Sequence, residues 1–234
     1  LFQYYDIQSL DIVQEPRVPQ DKAAYEAVIN SFPLRRWELS NTRYLLAPAG
    51  LVDVFNQQFD PERKSFRVAH QFNLAAKPGA AGQSGAEITT VPGPGGQLAV
   101  LEFTGALPRA SLYTNWKIST NEPAKREAWA KAIQQNTNVP LDWRNALAAQ
   151  SETDLATLQE LADKSFDPHQ TVLLAEPLGV SPGTNQSAGE VKFVSYAPKH
   201  IALKAKAAAP SVLLLNDKYD ANWRVTVDGQ PAKL

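Results

Sequence analysis

Apolar and polar positions alternate in twos along several short stretches of this chain and follow a helical period in others. Phe66, Val68, His70, Phe72 and Leu74 occupy every second position, which predicts a half-buried strand over 66–74. Strands are also predicted over 37–46, where Pro48 and Gly50 end the run, and over 98–103 and 109–118. The apolar run 171–175 reads as a buried strand, while 51–59 fits helix and strand alike. A helix is predicted over 21–30, with Ala24, Val28 and Ile29 on one face and Pro33 as its stop. Asn121-Glu122-Pro123 opens another, with Asn as cap and Pro in the first turn, and it carries Trp129 and Ile133 one turn apart. A further turn or two falls over 141–149. Ser151-Glu152-Thr153-Asp154 has the look of a capping box ahead of Leu155, Leu158 and Leu161.

Stretches 77–85 and 91–96 are rich in Gly, Pro, Ala and Ser and read as loops, as does 177–187. Beyond that last loop the pattern is strand alone, over 190–196, 200–206, 211–215 and 223–227. The expected fold class is therefore α+β. A mixed α/β domain over 1–178 would contain a βαβ-like unit made of 109–118, the helices to 163 and 171–175. A small Ig-like or jelly-roll-like antiparallel β-sandwich would follow over 187–234.

Composition narrows the function classes. The 234 residues are 44% hydrophobic and 20% charged, ordinary for a folded chain. A net charge of −1 gives no basic excess for nucleic acid, and the lysines from Lys199 to Lys206 have the spacing of a solvated strand face. With no cysteine there are no disulfides and no thiolate metal sites. No window reaches the ~20 apolar residues of a membrane helix. The chain begins at Leu1 rather than methionine, so an internal position in a longer product is expected.

The densest signal lies near the end. Ser211–Leu215 is apolar, then come the turn formers Asn216, Asp217, Asp220 and Asn222, then Trp223, Val225 and Val227 in alternation, then the tight-turn pair Asp228-Gly229. Asp217, Tyr219, Trp223, Val225, Val227, Asp228 and Gly229 resemble a segment of the C-terminal extracytoplasmic domain of bacterial YfhO-type membrane proteins, which are related to the GT-C glycosyltransferases. Three more stretches are similar to that family in the same order. They are Asn41-Thr42-Arg43-Tyr44-Leu45-Leu46, Ala106-Leu107-Pro108-Arg109-Ala110, and Phe166-Asp167-Pro168 with Thr171-Val172-Leu173-Leu174. The resemblance implies a domain held outside the cytoplasm and tethered to the membrane. Its partner would be the transmembrane portion of the same polypeptide, and further partners would be cell-envelope glycan or a lipid-linked sugar. The family's catalytic acids belong to membrane-proximal loops, so none is carried onto this chain. The fragment is expected to be accessory and inactive alone. The family's sandwich continues past Val-Asp-Gly, so this one is expected to lack closing strands.

Read from the residues, the chain offers no catalytic constellation, no metal set and no cofactor motif. Gly179-Val180-Ser181-Pro182-Gly183 has the outline of a nucleophile elbow, but Pro182 lacks the N–H the oxyanion hole needs. His70 falls on the apolar side of a strand and reads as a core histidine, while His169 sits in a turn. Trp37, Trp116, Trp129 and Trp143 read as core, and Asn185-Gln186-Ser187 is a glycosylation sequon in a loop. A ligand set remains in Trp223, Tyr219, Asp217, Asp220 and Arg109. Sugar sites pair an aromatic face with acids and arginine that bond hydroxyls, and Arg109 suits either an anion or a salt bridge between domains. The second reading is thus a free-standing carbohydrate-binding or adhesive β-sandwich module. A glycosidase would require Asp217 and Asp220 to face each other as acid and base across a cleft.

Overall fold

The structure, a computed structural model, describes residues 7–10, 18–79, 87–119, 122–183 and 188–234. Asn121 and the 185–187 sequon lie outside the described residues. In chain order the elements begin α1 (Gln20–Ile29), α2 (Pro33–Leu39), β1 (Tyr44–Pro48), α3 (Leu51–Gln58), β2 (Phe66–Ala76), β3 (Ile88–Pro92) and β4 (Leu98–Phe103). Next come β5 (Ala110–Tyr113), β6 (Asn115–Ile118), α4 (Pro123–Gln135), α5 (Leu141–Ala148), α6 (Glu152–Ala162) and β7 (Thr171–Leu174). The last are β8 (Gly189–Ala197), β9 (His200–Ala207), β10 (Val212–Leu215), β11 (Val225–Val227) and β12 (Gln230–Ala232). The fold is mixed α+β.

Helices make one layer. The apolar side of α1, with Ala23, Ala24, Val28 and Ile29, packs on Ala146 and Leu147 of α5 and on Leu158 of α6. Trp129 and Ile133 of α4 close the cluster one turn apart. Ser151 caps α6 by accepting from the Asp154 N–H at 3.2 Å.

Pro33 does not merely stop α1. It occupies the first turn of α2, where its missing N–H is no loss, and residues 33–39 are helical where a strand over 37–46 was expected. The strand starts later, at Tyr44. Turning the chain as a helix brings Trp37 onto Phe55 of α3 and Phe59 just after it, each ring 5.6 Å away. Trp37 also meets Phe66 of β2, and Phe66 stacks on Phe103 of β4 at 4.8 Å.

These rings cover one face of a four-stranded antiparallel sheet in the order β1-β4-β2-β3. A bulge between Val68 and His70 then reverses the facing of β2. Val68 pairs with Leu101 on the covered side, whereas His70 pairs with Val100 and Phe72 with Leu98 on the outer side. His70 is consequently exposed beside Phe72, not a core histidine. The outer face mixes the exposed apolar side chains Leu46, 64% exposed, and Leu74, 56%, with buried Phe72 and with Glu102 in its ion pair to Arg67.

Thr114 divides the expected strand 109–118 in two. β6 pairs in parallel with β7, and α4 to α6 form the crossover between them. β5 pairs antiparallel with β10, with Val212 opposite Tyr113 and Leu215 opposite Ala110. Tyr113, Trp116 and Val172 form a buried cluster on which Val212 and Leu214 pack. This ladder crosses the boundary expected between 178 and 187. The antiparallel region expected as an Ig-like or jelly-roll-like sandwich takes the form of two-stranded ladders among the described residues, β8 with β9, β11 with β12, and β5 with β10. The turn between β11 and β12 has both central residues at positive φ, Asp228 at 50° and Gly229 at 79°, as a two-residue hairpin loop requires.

Candidate functional site

Register alone brings Arg109 and Asp217 together. Leu215 faces Ala110 at the end of the β5–β10 ladder, and the Asn216 N–H donates to the Arg109 carbonyl at 2.8 Å. Just beyond, the Arg109 guanidinium forms an ion pair with Asp217. It also bonds the Tyr196 hydroxyl and lies over the Tyr196 ring, 5.0 Å from its centre. The Tyr196 hydroxyl in turn donates to Asp217 Oδ2 at 3.0 Å, and Gln8 takes another guanidinium N–H. These bonds tie the start of β5 to β8 and to the segment after β10.

The other members of the predicted set are placed apart. Asp220 Oδ1 accepts from the Asn222 backbone N–H at 2.8 Å and from its amide at 2.9 Å, so its carboxylate serves its own turn. Asp217 and Asp220 thus bond different partners, Arg109 and Tyr196 for the first and Asn222 for the second. Tyr219 is 68% exposed and Trp223 half-buried. Both line an open hollow of about 500 Å³ with Val225, Pro231 and Leu234. Neither aspartate lines it.

The wider surroundings of Arg109 unite segments far apart in sequence. Asn41, in the left-handed region at φ 55°, donates its side-chain amide to the Leu107 carbonyl at 2.8 Å and the Pro108 carbonyl at 3.2 Å. The Asn216 amide donates to the Leu39 carbonyl at 2.9 Å. The Leu107 N–H donates to the Glu38 carbonyl at 3.2 Å. Arg35 of α2 donates to the Phe166 carbonyl at 2.6 Å, and the Tyr113 hydroxyl to the Pro168 carbonyl at 2.9 Å. Asn41, Leu107 to Arg109, Phe166 and Asp217, one or more residues from each stretch that carries the family resemblance, thus meet near α2. Backbone carbonyls take most of these bonds, so what the stretches specify here is architecture.

A charged cluster beside this junction has no signal in the sequence. Glu38 is only 4% exposed. Its carboxylate lies 3.4 Å from Arg35 and 4.0 Å from both Arg63 and His169. Burial pushes the Glu38 carboxyl above its usual range, and Arg35, His169 and Arg63 oppose that push in part. A raised carboxyl pKa favours the protonated folded state. Its contribution is full below the ordinary glutamate range and is lost as pH rises through the raised value. The melting-temperature advantage of Glu38→Gln over the parent should therefore grow between about pH 4 and pH 8. A pH-independent difference would show that burial is not the dominant influence.

Among the described residues no group of three or more His, Cys, Asp or Glu is placed to hold a metal ion. No helix among them is long and apolar enough to cross a membrane. The chain matches no protein-family model, no curated protein and no solved structure.

Proposed function

We propose that this chain is a non-catalytic accessory domain, held outside the cytoplasm, of a polytopic membrane protein resembling the lipid-linked-sugar glycosyltransferases of the YfhO type. The observation that carries the reading is the convergence at α2. Residues of four stretches similar to that family, with Arg109 and Asp217 in contact across 108 positions, knit into one junction. Such a junction is what shared architecture would look like. Exposed Leu46 and Leu74 on the outer face of the β1-β4-β2-β3 sheet support an accessory role, since exposed apolar side chains suit contact with another part of the same polypeptide. Chemistry would reside in that other part. The isolated chain should then neither release nor transfer sugar from lipid-phosphate donors, and turnover by this chain alone would overturn the proposal.

One observation favours the alternative of a free-standing glycan-binding module, namely the exposed Tyr219 ring beside Trp223 over the open hollow. Calorimetry with envelope oligosaccharides separates the two readings. Glycan affinity that vanishes in Trp223→Ala would favour the alternative, and no heat would favour the accessory domain.

A further inference from the structure

The β8–β9 hairpin has two unlike faces. Its register places Val191, Phe193 and Tyr196 opposite Ala205, Leu203 and Ile201 on one side. That side carries the Phe193–Tyr196 ring contact and the Tyr196–Arg109 junction. On the other side Glu190 faces Lys206 and Lys192 faces Lys204, with Ser195, Ala197 and His200 further along. Lys192, Lys204 and Lys206 are exposed, and Lys199 is exposed in the turn. Glu190 lies 3.4 Å from Lys192 and is the only acid in the two strands.

Two lysines directly opposite each other on one ladder repel. In a chain whose net charge is −1, this basic concentration is local. The bulge between Phe193 and Ser195 adds Val194, 69% exposed, to the same short strand. Lysines flanking an exposed apolar side chain combine the two attractions that hold a protein at a lipid interface.

We infer that the lysine face of the β8–β9 hairpin docks on an anionic lipid surface. The inference rests on the reading of the chain as the exterior part of a membrane protein, in which the domain would already be held near such a surface. Phosphate headgroups would relieve the Lys192–Lys204 repulsion. Each lysine adds to the attraction of an anionic leaflet.

The test is co-sedimentation of the 234-residue chain with vesicles of phosphatidylglycerol mixed into phosphatidylcholine, and with vesicles of phosphatidylcholine alone. Binding is expected to the anionic vesicles only. It should disappear between about 0.1 M and 1 M salt, as the screening length falls from about 10 Å to 3 Å. Lys192→Glu with Lys204→Glu and Lys206→Glu should weaken it by about 100-fold or more. Lys125→Glu with Lys131→Glu, on α4, should leave it unchanged. If the glutamate variant misfolds, the glutamine versions of the same lysines and the salt series on the parent chain carry the test. No binding to anionic vesicles, equal binding to neutral ones, indifference to the hairpin variants or to salt, an equal loss with the α4 variant, or tighter binding to duplex DNA would each overturn it. A negative result leaves the membrane origin of the chain to be decided by its flanking sequence.

Discussion

Replacing Phe103 with alanine is expected to destabilise the chain by about 3–5 kcal/mol. Phe103 is 1% exposed and stacked on Phe66, with Trp37 at 6.3 Å. Its ring also lies across Gly105, where a Cβ would come within 2.5 Å of the ring tip, so the chain has no side chain there to fill the space left behind. The rings of α2 and α3 meet the sheet through Phe66 and Phe103, and removing one opens a cavity that helices on one side and strands on the other cannot both close. For a chain of this size the loss corresponds to a fall of roughly 10 °C in Tm. Differential scanning calorimetry reads it. A shift of a degree or two would show that these rings do not form the principal contact between α2, α3 and the sheet.

Trp116→Ala should have a loss of similar size, about 3–5 kcal/mol, with a different signature. Trp116 is 6% exposed and sits directly opposite Val172 in the β6–β7 ladder. The cluster it forms with Tyr113 and Val172 is also where Val212 and Leu214 of β10 pack. Weakening that cluster should loosen the C-terminal strands along with the crossover helices. Helical circular dichroism and the fluorescence of Trp223 are thus expected to shift together. If the variant instead shows separate transitions, with the 223 signal unmoved, the region after 187 folds independently of the β5–β10 ladder.

These two cores were legible in unequal measure. The strand character of β4, β8 and β9 could be read from sequence, and so could the Ser151 cap and the Asp228-Gly229 turn, because each depends on neighbours within a few positions. Pro33 misled because proline both ends one helix and begins the next, and the residues that follow it suit either state. The apolar alternation of Phe66 to Leu74 was real, but the bulge at Ala69 splits it between two faces, which no pattern of residue types announces. The pairing of β10 with β5 is a long-range choice and left no local trace. At the site, Arg109 and Asp217 each stood out for their residue type and position, whereas their ion pair across 108 positions did not. Nor did the arginine that ties α2 to Phe166 across 131 positions, or the burial of Glu38 beside it. Charged residues in ordinary-looking helices give no hint that folding will enclose them.

Under the proposed function, this chain would be part of a membrane protein whose chemistry lies elsewhere in the polypeptide. The most direct measurement is the sequence of the encoding gene on either side of the segment for Leu1–Leu234. Several apolar stretches of about 20 residues upstream, with acidic residues in the loops between them, are the expected result. An open reading frame without such stretches on either side would contradict the account.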